Sequence, residues 1–285
     1  MASRLVPLLI AGTLAAAGCG RSGMSSPTTP IAGSPHGHPA FAKPVRKAHA
    51  TIWAVGDSAG GQDAASVAHL IERGRPDRLL YLGDVYPVGN AAGFRSYQSA
   101  YGSMRAITAP TPGNHDWLFR RSGYEPYWHN PPEWYSFTAA GWRIIELNSE
   151  TTRGQAQLRW LRSQVHARGS CRIAFWHRPR FSAGTHGDNQ DMDPYWRALV
   201  RHATLVVSGH DHDMQRFAPR DGLSQLVAGA GGFTHYPVHR SHPGLQFADA
   251  THWGALRIDL TRHAAKVAFV AVGGRVLHSR SYICA

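Results

Sequence analysis

Two short stretches decide the predicted fold. Residues 51–57 have the sequence TIWAVGD and residues 78–84 have the sequence RLLYLGD, so each is an apolar run that ends in Gly-Asp. Short apolar runs bounded by glycine are typical of buried strands. The segment between them, Asp63–Glu72, carries apolar residues at helical spacing. A strand, a helix and a second strand in this order predict an α/β domain with parallel strand pairs.

The same pattern continues along the chain. Further strands are predicted at 106–109, 172–176 and 203–207, and antiparallel strands follow between Gln225 and Ile283. Loops at the carboxyl ends of strands converge in an open α/β sheet, so we expect the polar residues after these strands to meet. Five polar clusters occupy such positions: Asp57, Asp84, Asn114-His115-Asp116, His177 and His210-Asp211-His212.

These clusters contain the residue types that bind metal ions. Carboxylate, amide and imidazole groups suit iron, zinc and manganese alike, so the sequence leaves the identity of the metal open. An Asp84 carboxylate can bridge two ions with a hydroxide between them, and a metal pair ~3.5–4 Å apart suits in-line displacement at phosphorus. We therefore expect two divalent or trivalent ions. The six candidate ligands are Asp57, Asp84, Asn114, His177, His210 and His212.

His115 and Asp116 are the candidate catalytic residues. His115 would face the leaving group as a general acid, or orient the phosphate. Asp116 would hold the His115 ring in place. Each cluster alone has an ordinary explanation as a turn or a helix cap, since Gly-Asp is common in turns. It is the joint occurrence of the clusters at strand ends that indicates a shared site.

The five blocks resemble those of calcineurin-like metallophosphoesterases, over about residues 50–215. The resemblance implies a single catalytic domain, a four-layer α/β/β/α sandwich of two mixed sheets. It implies that Asp57 and His212 hold the first metal and that Asp84 bridges. Asn114, His177 and His210 would hold the second metal, and His115 would be the catalytic histidine. The blocks are Gly56-Asp57, Gly83-Asp84, Gly113-Asn114-His115-Asp116, Trp176-His177 and Gly209-His210-Asp211-His212.

Within this superfamily the chain is most similar to the purple acid phosphatase branch, and to exported bacterial members in particular. Most superfamily members have a histidine two residues after the first aspartate, but here that position is Ala59. The branch supplies a tyrosine ligand three residues after the second aspartate. Here Tyr86 lies two residues after Asp84, so it stays open whether Tyr86 is a ligand and whether an iron–tyrosinate centre forms.

Three basic residues follow the predicted ligand His177. Arg178, Arg180 and His186 are candidate substrate contacts, since arginine suits bidentate recognition of phosphate. A positively charged surface loop is the alternative interpretation. Farther along, the glycine-rich segment Gly229–Gly232 would let the backbone approach the site closely.

Composition and the absence of certain motifs argue against several other classes of function. The chain has 285 residues and a formal net charge of +12. No nucleic-acid-binding module motif accompanies this charge, so we expect no specific nucleic acid partner. The sequence contains no Walker loop, no Gly-x-Ser-x-Gly elbow and no His-Glu-x-x-His, which disfavours P-loop, serine and zincin mechanisms.

The start of the chain predicts export. Residues 1–19 comprise Arg4, an apolar core and an Ala-Ala-Ala-Gly-Cys end that resembles a lipoprotein box, with Cys19 as the lipid-anchored residue. Ordinary cleavage after Ala17 is the alternative. Residues 20–49 are rich in Pro, Ser, Gly and His and predict a flexible linker, which leaves 50–285 as the catalytic domain. In an exported protein, Cys171 and Cys284 suggest one disulfide.

These features together predict an exported phosphoesterase in which a metal-bound hydroxide attacks phosphorus in line. A phosphomonoesterase resembling acid phosphatases is the favoured hypothesis. A phosphodiesterase acting on nucleotides or phospholipid head groups is one alternative, and a catalytically inactive metal-binding surface protein is another. The motifs concern the phosphoryl centre alone, so the alcohol part of the substrate and the oligomeric state stay open.

Overall fold

The computed structural model describes residues 42–152, 154–166 and 171–284. The predicted signal segment with Cys19, and the linker up to residue 41, lie outside the described residues. The strands are β1 (Ala50–Val55), β2 (Ser58–Ala59), β3 (Arg78–Tyr81), β4 (Val85–Tyr86), β5 (Thr108–Pro110), β6 (Tyr135–Ala139), β7 (Trp142–Glu146), β8 (Arg172–Phe175), β9 (Leu205–Ser208), β10 (Met214–Phe217), β11 (Ser224–Ala228), β12 (Leu245–Asp249), β13 (Gly254–Thr261), β14 (Ala264–Ala271) and β15 (Val276–Ile283).

Six α-helices connect or flank these strands in the described part of the chain. Short 3₁₀ helices at Gly102–Ile107 and Gln190–Met192 add to them. The α-helices are α1 (Gln62–Arg73), α2 (Ala91–Tyr101), α3 (Asn114–Leu118), α4 (Tyr124–Tyr127), α5 (Gln155–Val165) and α6 (Asp193–Leu199).

The strands form two mixed sheets and one small pair. The first sheet has the order β15-β14-β13-β1-β3-β5, and the second has the order β12-β10-β11-β9-β8-β7-β6. Strands β1, β3 and β5 are parallel, as are β7, β8, β9 and β11, while the remaining pairs of these two sheets are antiparallel. The small β2–β4 pair is parallel. Crossover connections that contain a helix join the successive parallel strands, except between β9 and β11, where the connection contains β10.

Three apolar cores separate four layers. The central core lies between the two sheets and contains Ile52 and Leu80 from the first sheet and Phe175 from the second. A second core packs α1 and α2 on the outer face of the first sheet. A third packs α5 and α6 on the outer face of the second sheet. The predicted α/β/β/α sandwich of two mixed sheets is therefore confirmed.

The spacing of apolar residues in the sequence explains why strands and helices alternate. In α1 the residues at helical spacing are the buried ones. In contrast, β10 was not predicted, because its four residues include the polar Gln215 and Arg216, and burial of both depends on partners elsewhere in the chain. The Gln215 amide donates to Ser182 Oγ at 3.0 Å, and Arg216 Nε donates to His278 Nε2 at 2.7 Å.

Both ends of the region from Ala42 to Cys284 make contacts that hold them to the rest of the fold. Cys171 and Cys284 form a disulfide, as the cysteine count suggested, and it joins the segment before β8 to the end of β15. Ala42, which lies within the predicted linker, is buried in the central core. The Val45 backbone also donates to Thr138 O at 2.8 Å. No helix among the described residues is long and apolar enough to cross a membrane.

Candidate metal centre

Both sheets contribute side chains to one edge of the sandwich. Asp57 follows β1, Asp84 follows β3 and Asn114 begins α3 just after β5, all from the first sheet. His177 follows β8, and His210 and His212 follow β9, from the second sheet. The six predicted ligands thus meet at the carboxyl ends of parallel strands, where loops of an α/β sheet converge.

The loops that carry these residues have unusual backbone. Asp57 (φ 60), Asp84 (φ 66) and His210 (φ 73) all adopt the left-handed conformation. Non-glycine residues rarely adopt it, and such strained positions concentrate at functional sites. The small β2–β4 pair joins two of the loops, and Asp57 N–H donates to Gly83 O at 2.9 Å. A Cβ on Gly83 would lie 2.6 Å from Gly113 N, so glycine is needed where the loops touch.

His177 lies at the centre of one group of ligand atoms. Its Nδ1 lies 2.8 Å from Leu82 O, and because a carbonyl only accepts, Nδ1 carries the proton. Its Nε2 faces Asn114 Oδ1 at 3.1 Å and His210 Nδ1 at 3.0 Å, and in the neutral form of the ring this nitrogen carries the lone pair that can bind a metal. Asp84 Oδ2 is 3.2 Å from the same nitrogen. These atoms can hold one cation between them.

Asp57, His212 and Tyr86 form a neighbouring group. His212 Nδ1 lies 2.7 Å from Thr234 O and carries the proton, so Nε2 is the free nitrogen. Asp57 Oδ1 lies 3.7 Å from His212 Nε2, and the Tyr86 hydroxyl lies 2.9 Å from it. The phenol oxygen is therefore placed beside the predicted ligands. Burial, with Asp57 and Asp84, raises the pKa of Tyr86.

Unsatisfied oxygen atoms test whether this site fits metal ions. Asp57 and Asp84 are fully buried, yet within the described residues no hydrogen bond of normal geometry satisfies Asp57 Oδ1 or Asp84 Oδ2. A buried carboxylate oxygen without a partner is costly, and a bound cation would remove that cost. Ligand atoms of Asp84, His177 and His210 lie within 4.8 Å of one another. The donor set therefore fits the predicted ions.

Without a bound cation, the carboxylates and imidazoles of the site shift one another's pKa values. Burial raises the pKa of Asp57 well above its usual value, which reflects an uncompensated negative charge. Burial alone would lower the pKa of His177, but the Asp84 carboxylate outweighs it and raises that pKa to about 10, so without a metal the ring holds a second proton that a bound cation would displace. Burial lowers the pKa of His212 to about 4 and that of His210 well below its usual value. Those two rings are neutral near pH 7, the form in which imidazole binds metals.

The hydrogen-bond partners of His115 and Asp116 differ from those predicted. His115 is partly exposed, and its Nδ1 donates to Pro87 O at 2.9 Å, so Pro87 and not Asp116 orients the ring. Asp116 is fully buried and accepts hydrogen bonds from Tyr81 and from three backbone N–H groups. The predicted contact between Asp116 and the His115 ring is therefore wrong, because the carboxylate is used to hold loops together.

The sequence matches the family that this geometry indicates. The family model for calcineurin-like phosphoesterases matches residues 50–214, which is more than half of the chain. This chain belongs to the calcineurin-like phosphoesterase family. The matched region includes all six candidate ligands.

Solved structures agree in fold. GAP50, the anchor in the inner membrane complex of Plasmodium, has a TM-score of 0.70 at 16% identity, with 84% of this chain and 90% of that chain covered. The purple acid phosphatase PPD1 from yellow lupin (Lupinus luteus) seeds has a TM-score of 0.69 at 15% identity, with 85% of this chain covered but only 55% of that longer chain.

A third similar structure is a dimetal phosphatase from Danio rerio. Its TM-score is 0.62 at 11% identity, with 82% of this chain and 99% of that chain covered. A search of curated proteins finds no match. At these identities the structural likeness establishes the fold alone, so the roles of individual residues rest on the geometry of this phosphoesterase itself.

The three predicted substrate contacts separate in the structure of this phosphoesterase. A cavity of about 820 Å³ is lined by Arg178, His186 and His210. The His186 ring stacks on the His210 ring at 4.1 Å, and burial lowers the pKa of His186. Arg180 is not among the lining residues. Its guanidinium is buried against Asp193, with Nε donating to Oδ1 at 3.0 Å, so the predicted substrate contact for Arg180 is wrong.

Several residues beside the metal centre were missed. Tyr236 stacks on His212 at 3.9 Å and Phe233 stacks on Tyr86 at 4.1 Å, both in the loop that follows the glycine-rich segment. The predicted close approach of that segment is confirmed, since a Cβ on Gly229 would lie 2.6 Å from Asp57 Oδ2. Extending that prediction a few residues would have found Tyr236. Glu150, which lines the same cavity as Arg178, could not be predicted from the sequence, because it lies in a loop that contains no motif.

Proposed function

We propose that this family member is an exported phosphomonoesterase with a dinuclear metal centre. The observation that carries the proposal is the pair of unsatisfied carboxylate oxygens, Asp57 Oδ1 and Asp84 Oδ2, beside imidazoles whose free nitrogens face them. His115 and Arg178 lie next to this group and supply the functions that ester hydrolysis still needs, a proton donor and a phosphate ligand.

Two cations would be held by two groups of residues. Asp57 and His212 would hold one, with Tyr86 within reach, and Asp84 would be shared. When bound, such ions provide Lewis-acid activation of water and offset the charge of a phosphate. These ligands do not determine which metal is bound, since iron, zinc and manganese all accept carboxylate, amide and imidazole groups. Asn114, His177 and His210 would hold the second ion.

His115 would give a proton to the leaving alcohol. Because Nδ1 donates to Pro87 O, the nitrogen available for proton transfer is Nε2. The backbone N–H of His115 also donates to Asp84 Oδ1 at 2.8 Å, which places the ring beside the shared carboxylate. General acid catalysis of this kind contributes typically about 10²–10⁴-fold to a rate.

A phosphodiesterase is the second candidate, and one observation favours it. Besides the cavity beside Arg178, a second cavity of about 540 Å³ is lined by Tyr86, Phe233 and Trp253. Cavities on both sides of the centre offer space for two substituents on phosphorus. The similarity to GAP50, which is described as an anchor, also keeps an inactive metal-binding protein as a hypothesis, since a fold alone does not imply catalysis.

The deciding experiment combines metal analysis with two substrates. The purified domain is loaded with iron, zinc or manganese, its metal content is measured, and hydrolysis of nitrophenyl phosphate is compared with that of bis-nitrophenyl phosphate. About two metals per chain and preference for the monoester support the proposal. Preference for the diester supports the second candidate. Protein that stays inert with every metal refutes both and leaves the inactive metal-binding hypothesis.

Export is proposed on separate grounds. The signal-like segment that ends at Cys19 and the disulfide between Cys171 and Cys284 both suit a protein outside the cytoplasm. Mass spectrometry of the mature protein separates the alternatives. A lipid-modified N-terminal Cys19 supports a lipoprotein, an unmodified N-terminal Gly18 supports cleavage after Ala17, and an intact Met1 refutes export through this segment.

A further inference from the structure

The loop from Asn148 to Glu150 is rigidly held beside the metal centre. The buried amide of Gln157 bonds to it twice: the Asn148 N–H donates to Gln157 Oε1 at 2.6 Å, and Gln157 Nε2 donates to Asn148 O at 3.0 Å. Asn148 Oδ1 in turn accepts the backbone N–H of Glu150 at 2.8 Å. The side chain of Glu150 therefore projects from a fixed backbone.

Glu150 holds Arg178 in one orientation. Arg178 Nε donates to Glu150 Oε1 at 2.8 Å, and the side chain of Glu150 is only 9% exposed while that of Arg178 is 31% exposed. Ser149 strengthens the arrangement, because its hydroxyl donates to Glu150 Oε1 and accepts the backbone N–H of Arg178. Since Nε is the atom engaged, the two terminal nitrogens of the guanidinium remain for another partner.

The partner must be an acceptor. His210 Nδ1 faces the ligand group around His177, so in the metal-loaded neutral ring the proton is on Nε2. That Nε2 lies 3.4 Å from Arg178 Nη1. Two N–H donors this close face one another without an acceptor, and an anion oxygen to one side of the pair, within hydrogen-bond distance of each nitrogen, would accept from both.

We propose that Arg178 and His210 Nε2 form a subsite for a non-bridging oxygen of the phosphate group, and that Glu150 is its positioning residue. This rests on the proposed function, because it assigns a part of the same site. Glu150 touches no phosphate itself and acts by fixing the guanidinium of Arg178. Free phosphate and the phosphoryl group of an ester carry the same oxygens, so both bind there.

Phosphate binding and hydrolysis test the subsite in the metal-loaded protein. Calorimetry measures the affinity for inorganic phosphate, and kcat/KM is measured with nitrophenyl phosphate. The variants are Glu150→Ala, Arg178→Ala and the double variant, with metal content measured for each. The matched control is Glu125→Ala, which breaks another Glu–Arg pair, that with Arg120 at 3.5 Å.

We expect Glu150→Ala to weaken phosphate binding and to lower kcat/KM, each about tenfold, as loss of a hydrogen bond between charged groups does. The double variant should equal Arg178→Ala, because a residue that acts only through Arg178 has no effect once Arg178 is absent. Glu125→Ala should equal the wild type. If Glu150→Ala loses metal or fails to fold, Glu150→Leu, which keeps much of the volume of the side chain but has no acceptor for Arg178 Nε, replaces it.

The results also separate this proposal from the proposed function. Wild-type protein that binds phosphate through Glu150 and Arg178 but hydrolyses no ester would refute the proposed function and support the subsite. An active wild type whose Glu150 variants bind phosphate normally overturns the subsite alone. Effects of Glu150→Ala and Arg178→Ala that simply add overturn the positioning role, and wild-type protein that binds no phosphate overturns the subsite itself.

Discussion

The carboxylate of Asp116 accepts the backbone N–H of Asp84 at 2.8 Å. The same carboxylate accepts the N–H of Gly113 at 3.0 Å and that of Val85 at 3.0 Å. It therefore joins the loop that follows β3 to the loop that follows β5, and each of these loops carries a candidate ligand. One buried side chain thus sets the spacing between Asp84 and Asn114, although it does not face the site.

Asp116→Asn should loosen this connection. An amide has one accepting oxygen and cannot accept at its nitrogen, so at least one buried donor loses its partner, at a cost of about 1–3 kcal/mol. We expect a lower melting temperature and less bound metal per chain, measured by calorimetry and elemental analysis. Asp221→Asn, at an exposed turn with φ 51, is the control and should change neither. Unchanged metal content in Asp116→Asn would show that this carboxylate does not set the spacing of the ligands.

His115→Ala should lose activity in a way that depends on the leaving group. If Nε2 protonates the leaving alcohol, the loss is large for an alkyl phosphate, whose alkoxide needs the proton, and smaller for nitrophenyl phosphate. We expect a fall in kcat of about 10²–10⁴-fold for the alkyl ester. Metal content should stay at the wild-type value. An equal loss for both esters would assign His115 to orienting the phosphate instead.

Tyr86→Phe tests whether the tyrosine beside His212 is a ligand. The hydroxyl lies 2.9 Å from His212 Nε2, and the ring is fixed by stacking on Phe233. In iron-loaded protein we expect a visible charge-transfer band that disappears in Tyr86→Phe. Tyr236→Phe, which alters the other tyrosine against His212, should keep the band. Iron-loaded wild-type protein without colour would show that Tyr86 is not a ligand.

Sequence patterns brought out the candidate ligands because each one lies within a few residues of the end of an apolar run, often after a glycine. The topology brings such positions together, so Asp57 and His212 meet although they are far apart in the chain. Sequence patterns did not predict contacts with residues far away in the chain or with backbone groups, which belong to no motif. The ring of His115 is oriented by a backbone carbonyl, that of Pro87, which no sequence motif identifies.

Arg180 is a second residue whose contacts the sequence patterns did not predict. Its neighbour Arg178 has the same charge and almost the same position in the sequence, yet only Arg178 lines the cavity beside the metal centre. The difference is made by acidic partners: Asp193 binds Arg180 in the interior, and Glu150 holds Arg178 at the site. Sequence alone does not assign such pairs, because the partners lie on separate elements.

Glu146 leads to the last prediction, which concerns stability and pH. It ends β7 at 1% exposure, and burial raises its pKa well above the usual value. In the unfolded chain this carboxyl ionises near pH ~4.3. The folded state thus holds a proton that the unfolded state has lost, so stability is full below that pH and falls as the pH rises toward the folded-state pKa.

Glu146→Gln stays neutral at every pH and should remove this dependence. In chelator-treated protein we expect the variant to be more stable than the wild type at pH ~7.5 and equally stable at pH ~4. Urea unfolding at both pH values measures the difference, with the surface variant Glu72→Gln as control. If Glu146→Gln is the less stable protein at the higher pH, then the carboxylate is ionised in the folded state and its neighbours stabilise that charge.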